Sequence, residues 1–286
     1  MPCDEHMPHL LPPDVLHQIA SYVNDTVSFF SFLDALGSPA LRGPLEAVWQ
    51  LGMTLDHSSL WPHLDLSHLH DDVTLAQLQT IVPLYTTILV AGAFDLAWLK
   101  TCVHSKAQLR WDEPPLLADA ATLAEWYDAF ATLRVVHVTD SRCVVHPILS
   151  ILTKLTHIKS LQVCAATTAH LDLLFAFAAT SPSLTALQIT RHFGETEEIT
   201  QSMVRHIHQW FHRHHVLTFA VDSVLWARDV DAALQAQFCS TVLSHPSLDD
   251  LRLGLLDVNS LGTMPLPPLR MRTLELSRMS PASFIQ

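Results

Sequence analysis

Hydrophobic positions along this chain follow two spacings, and the change from one to the other falls near residue 52. Before it the period is helical. Val15, Ile19 and Val23 recur at i, i+4 and i+8, the stripe of a single helix face. The run Leu10-Leu11-Pro12-Pro13-Asp14 opens that helix, because proline suits a first turn and an early aspartate complements the helix dipole. Asn24-Asp25 stops it and caps a second helix whose apolar residues are Phe29, Phe30, Phe32, Leu33 and Leu36. Gly37-Ser38-Pro39 breaks and recaps the chain, and a third helix is expected over 40–51, with Leu41, Leu45, Val48 and Trp49 apolar. Three helices in roughly fifty residues bury little surface, so this module is expected to need a partner or the residues after it.

Beyond residue 52 an apolar-x-x-apolar-x-apolar pattern recurs. Its last two apolar positions are Leu64/Leu66, Ile88/Val90, Leu109/Trp111, Val136/Val138, Leu161/Val163, Leu187/Ile189, Phe219/Val221, Leu251/Leu253 and Leu274/Leu276. Successive copies lie 21 to 32 residues apart, mostly inside the ~20–29 spacing of strand-plus-helix repeats. Helical stretches are expected between them at 116–133, 147–155, 169–180, 197–212 and 229–244. The acidic residues Glu195, Glu197 and Glu198 read as dipole-favouring residues at the start of one of these helices. Segment 73–94 carries no charged residue, yet Gln77, Gln79 and the central Pro83 suit a buried helix, a proline break and a buried strand better than a membrane span. Each strand's central residue points away from the core, forming a row of Asp65, Leu89, Arg110, His137, Gln162, Gln188, Ala220, Arg252 and Glu275.

Two resemblances rest on these residues. The segment LPPDVLHQIASYV, the hydrophobic middle and the closing Val48-Trp49 resemble the F-box motif over residues 10–52, although phenylalanines stand where that family favours smaller aliphatics. The repeat spacing over about residues 55–280 is similar to that of leucine-rich repeats. The family's asparagine or cysteine after each strand is absent here; the equivalent positions include Leu69, Ala93, Ser141 and Ala166. Together they imply an α/β chain: a three-helix module at 1–52, then at 53–286 a degenerate horseshoe-like solenoid with parallel strands on one face and helices on the other.

Composition narrows the function classes. A net charge of −12 without any Lys/Arg run speaks against nucleic acid. Five scattered cysteines with no C-x-x-C pair argue against a disulfide framework or a cysteine-rich zinc site, and point to reduced thiols in a cytoplasmic or nuclear setting. Phosphate-cradling glycine motifs, G-x-S-x-G and H-E-x-x-H are missing, so no catalytic residue, cofactor or metal is expected. The 19 histidines are the anomaly. His208 and His212 share a helix face, but with no third ligand nearby they read as a solvated helix end rather than a zinc site. Protonating all of them would reverse the sign of the net charge around a pKa of ~6.5.

The F-box resemblance implies a non-catalytic target-recognition subunit of a cullin-type ubiquitin ligase. Leu11, Pro12, Val15, Ile19, Val23 and Trp49 would then meet a Skp-type adaptor carried by the cullin scaffold. The strand row, through Arg110, His137, Gln162, Gln188 and Arg252, would meet a protein target. The alternative is a repeat scaffold for protein partners with no link to ubiquitin.

Overall fold

The computed structural model describes residues 12–69, 72–115, 120–142, 148–165, 167–191, 197–221, 224–254 and 269–276. They form a mixed α/β structure divided into two compact units, Met1–Arg110 and Trp111–Gln286.

The first unit begins with helices α1 (Pro13–Ser21), α2 (Thr26–Ala35), α3 (Pro39–Arg42), α4 (Glu46–Gly52) and α5 (His57–Leu60). Asp25 caps α2 by accepting from the Ser28 backbone N–H at 2.7 Å, as its sequence position implies. The single helix expected over 40–51 is instead split into α3 and α4 by a 3-10 turn at Gly43–Leu45. Gly43 has φ +52°, a left-handed conformation open to glycine, and Pro44 has no N–H to continue the ladder. Strand β1 (Leu64–Asp65), helix α6 (Asp72–Leu78), strand β2 (Thr87–Ala91) and helix α7 (Leu96–Cys102) follow, and β3 (Gln108–Asp112) runs across the division. Asp95 caps α7 through the Ala97 and Trp98 N–H groups. β1 and β2 are parallel, with Leu64 beside Ile88 and Asp65 beside Leu89. Segment 73–94 is thus helix, a 3-10 turn around Pro83, and strand. No helix of the described residues is long and apolar enough to cross a membrane.

The early helices are pinned to the residues that follow them. The Phe29 and Trp61 rings stack at 3.9 Å, and Phe30 stacks on His57 at 3.6 Å. The Trp61 indole N–H donates to the Val23 carbonyl, Thr26 Oγ1 to the Trp61 carbonyl, and the Tyr85 hydroxyl to the Leu60 carbonyl. Residues 12–60 and the first strands therefore share one core, containing Leu16, Ala20, Phe29, Leu33, Leu60, Leu64 and Ile88.

The second unit contains α8 (Ala120–Phe130), β4 (Val135–Asp140), α9 (Ile148–Ile151), β5 (Ser160–Ala165), α10 (Thr168–Thr180), β6 (Ala186–Arg191) and β7 (Glu197–Ile199). It continues with α11 (Gln201–Arg213), β8 (Thr218–Val221), β9 (Val224–Trp226), α12 (Ala232–Leu243), β10 (Asp250–Leu253) and β11 (Thr273–Leu276). Strands β4-β5-β6-β8-β10-β11 lie side by side in that order, all parallel. Parallel neighbours need a crossover between them, and the helices supply it. Every apolar-x-apolar pair read from the sequence falls on one of these strands or on β1–β3, or in the case of Leu66 directly after one.

One expected helix start is corrected. Glu197 and Glu198 belong to β7, which pairs in parallel with β9, and the helix begins only after Thr200, whose side chain accepts from the Met203 N–H. A hydroxyl cap fixed the boundary where acidic residues suggested one. Along α11, Met203, Val204, Ile207, Trp210 and Phe211 are buried while Arg205, His212 and Arg213 face water, a helical stripe laid on the sheet. Phe175, Trp210, Phe211, Phe219 and Phe238 meet edge to face at 5.4–6.5 Å, interlocking α10, α11 and α12 over β8.

Candidate interaction surfaces

In the first unit, α1 buries Leu16 and Ala20 and leaves further apolar residues bare beside them. Val15 is 38% exposed, Ile19 41% and Tyr22, one further turn along, 77%. Their i, i+4, i+7 spacing puts them on one outward stripe. Val27 at 73% and Met53 at 70% are further bare apolar side chains of this unit. A helix with a bare apolar stripe beside its buried one has surface available for a partner.

The structure divides the six adaptor candidates. Leu11 lies outside the described residues. Pro12 is exposed at the entry to α1, and Val15 and Ile19 stand outward. Val23 is half-buried and its carbonyl is taken by Trp61. Trp49 is occupied internally: its indole N–H donates to Asp34 at 2.7 Å, and the Arg42 guanidinium lies 3.7 Å from its ring centroid. Buried Arg42 also donates to the Leu33 carbonyl and to Glu46, holding α2, α3 and α4 together and lowering the Glu46 pKa. Trp49 therefore organises the module. Sequence reasoning missed Tyr22, although the helical period signals it, because the stripe was continued to Val23 instead.

On the target side, Arg110 is exposed on β3 in the first unit, near enough to His63, itself exposed, to add to partial desolvation in lowering that ring's pKa. His137, Gln162, Gln188 and Arg252 lie on the second unit's strands. The observed register makes two outward rows there. One is His137, Ser160, Ala186, Thr218, Asp250 and Thr273; the other is Thr139, Gln162, Gln188, Ala220, Arg252 and Glu275. Gln162 and Gln188 are immediate neighbours, as expected. His137 is not in their row; Thr139 is. The shift is two residues, so every side chain keeps its face.

The cause is Asp140. The hydrophobic pattern matches Val138 to Val163, but Val138 pairs with Leu161, and Asp140 takes the inward position beside Val163. It is fully buried and held by Arg142: Nε donates at 2.9 Å, the backbone N–H at 3.0 Å, and Nη2 spans to the second carboxylate oxygen and to the Pro114 carbonyl. A hydrophobic pattern cannot register a carboxylate in a core row. Asp140 in turn raises the Arg142 pKa.

The outward face across β4, β5, β6 and β8 carries no Asp, Glu, Lys or Arg in these rows. The Gln162 and Gln188 amides are half-buried and make no hydrogen bond among the described residues. His137 shares a 2.8 Å bond with Thr139, and Arg252 bonds Asp250 on its own strand at 3.0 and 3.2 Å. The two side-chain amides, like the Ser160 and Thr218 hydroxyls of the same rows, are thus uncommitted polar groups of this face.

Other chemistry is sparse. Burial pushes the Cys239 thiol up to about 11 and raises Cys102 as well, keeping both away from the reactive thiolate near neutrality. Cys164 is disulfide-bonded, which corrects the expectation of uniformly reduced thiols; residue spacing does not show which cysteines a fold brings together. Among the described residues no group of three or more His, Cys, Asp or Glu could hold a metal ion. A cleft of about 480 Å³ in the first unit is lined by Ala47, Gln50, Leu51, Thr54, Gln77 and Thr80, none of them ionisable. In comparisons with known proteins, no protein family and no curated sequence matches the chain.

Proposed function

We propose that this chain is a non-catalytic target-recognition subunit of a cullin-type ubiquitin ligase. Residues 1–52 act as an F-box-like module that docks on a Skp-type adaptor, and the strand-helix repeats of 53–286 act as a leucine-rich-repeat-like solenoid that presents a protein target. The observation that carries the reading is the uncovered apolar stripe Val15, Ile19 and Tyr22 beside the stripe that α1 already buries. Chain-order parallel strands with intervening helices support the repeat reading. Gln162 and Gln188, with His137 and Arg252 on the same outward face and Arg110 on β3, are the proposed target contacts. Such a protein would work by proximity, raising the target's effective concentration at the ligase.

The test is binding of a purified Skp-type adaptor to the full chain. Val15→Asp and Ile19→Asp should each reduce capture about tenfold or more, since desolvating a charge at an interface costs at least ~1.4 kcal/mol. Both side chains are exposed, so the melting temperature should hardly move. Adaptor capture by both variants at the unaltered level would remove the F-box reading. If the unaltered chain captures no adaptor at all, the remaining reading is a protein-interaction scaffold with no link to ubiquitin.

A further inference from the structure

The histidines that crowd the end of α11 are not equivalent to a solvated helix terminus, because one of them closes a seam. His208 Nδ1 and Thr241 Oγ1 of α12 share a hydrogen bond of 2.9 Å. The other ring nitrogen, Nε2, is buried and has no hydrogen-bond partner. The neutral ring fits this arrangement, with one N–H available for the Thr241 hydroxyl and an unprotonated Nε2 in a place that offers no acceptor. A second proton would create a buried N–H without a partner and a cation beside the His212 ring, whose centroid is 6.4 Å away.

We propose that the α11–α12 seam is an acid-sensitive latch, closed by neutral His208 on Thr241 and loosened when His208 takes up a proton.

The groups around it determine the sign. α12 contributes no Asp, Glu, Lys, Arg or His; its one titratable side chain is buried Cys239. α11 itself adds Arg205, His206, His212 and Arg213, and His214 and His215 follow it. On the far side of the seam His245 donates from Nε2 to the Phe211 carbonyl at 3.0 Å, and its Nδ1 lies 3.1 Å from Ser247 Oγ, which itself donates to the Val216 carbonyl. His245 could take a proton with both nitrogens partnered, but it would place a further cation near His212 and His215. Burial lowers the pKa of His208 and of His245, and His212 adds to the effect at both; at His245 the Phe211 carbonyl opposes it. The seam therefore collects positive charge in acid and has no carboxylate on α12 to receive it.

The neighbouring seam behaves oppositely. His206 Nδ1 stands 3.9 Å from Asp172 Oδ1 of α10, so protonation there adds an attraction. Acid should then loosen α12 from α11 while leaving α10 on α11 at least as firmly held.

Hydrogen exchange on the full chain, expressed as protection factors at about pH 7.5 and 5.5, separates the two seams. Protection across α12 should fall about threefold or more on acidification, and that across α10 should not fall. His208→Gln, which keeps a neutral polar side chain, should remove most of the acid response of α12. Equal loss across α10 and α12, or a full acid response in His208→Gln, would overturn the latch. Should His208→Gln loosen α12 at both pH values, the ring titration followed by NMR decides: a His208 midpoint below that of a solvent-exposed histidine of this chain upholds the proposal, and one at or above it refutes it.

Discussion

At the scale of single residues, Asp140 shows how a polar side chain can occupy a core position and remain silent in a hydrophobicity pattern. It lies in the row of Val163 and Ile189, fully buried, and depends on Arg142 for side-chain hydrogen bonds to both carboxylate oxygens. The two partners are not equally replaceable. Arg142 is 29% exposed and can turn towards water when its carboxylate is lost; Asp140 at 0% cannot. Removing one member of a buried pair commonly costs ~3–5 kcal/mol, most where the remaining charge stays buried. Arg142→Ala should therefore destabilise the chain by about 3–5 kcal/mol in urea unfolding, and Asp140→Val by clearly less. Equal losses would mean that the pair acts through loop geometry rather than through the charge of the buried carboxylate.

Elements were legible wherever burial alone placed them. Strands β1 to β6, β8, β10 and β11 were readable because each inward pair is aliphatic or aromatic, and Asp25, Gly37-Ser38-Pro39 and the proline entries marked the early helix ends. Strands β7 and β9 were not readable. Three residues long and paired only with each other, they offer too few positions for alternation to appear, and Glu197-Glu198 imitates a helix start. The registers were only half legible: the period of two gives the face of every side chain, whereas the offset between β4 and β5 hinges on Asp140. On the candidate surface, the helical period alone shows the Val15–Ile19 stripe, whereas only packing shows that the face and edge of Trp49 are engaged by Arg42 and Asp34. One element carries a prediction of its own. Leu274 and Leu276 of β11 are in register with buried Leu251 and Leu253 yet are 38% and 37% exposed, and among the described residues β11 is bonded to β10 alone. Its amides should exchange faster than those of β5 or β6, strands with a neighbour on either side. Protection in β11 equal to that in β5 would show that its inward leucines are covered in solution.

For the whole molecule, the two units carry their titratable strain in different pH ranges. In the second unit burial lowers the pKa of His208, His214 and His245. A histidine with a lowered folded pKa stabilises fully above its unfolded value of ~6.5, and that stability is lost as pH falls towards and through the folded pKa. Among the described residues the first unit has one such group, His63, lowered by burial and Arg110. Its shifted carboxylates work lower down: hydrogen bonds from Ser28, Arg42 and Ser58 depress Asp25, Glu46 and Asp56 respectively. Carboxylates with lowered folded pKa values stabilise above their unfolded values of about 4, and that contribution disappears as pH falls through the folded values. Acidification should consequently weaken 111–286 first and 1–110 mainly below about pH 4. Pulse proteolysis in urea, with the surviving fragments mapped by mass spectrometry, reads this directly. Between about pH 7.5 and 5.5 the urea midpoint for cleavage should drop more for peptides of 111–286 than for those of 1–110, and the order should narrow or reverse as pH is taken below ~4. Loss in parallel across both units over the upper range would place the acid response in net charge spread over the chain. The three half-buried histidines would then no longer account for it.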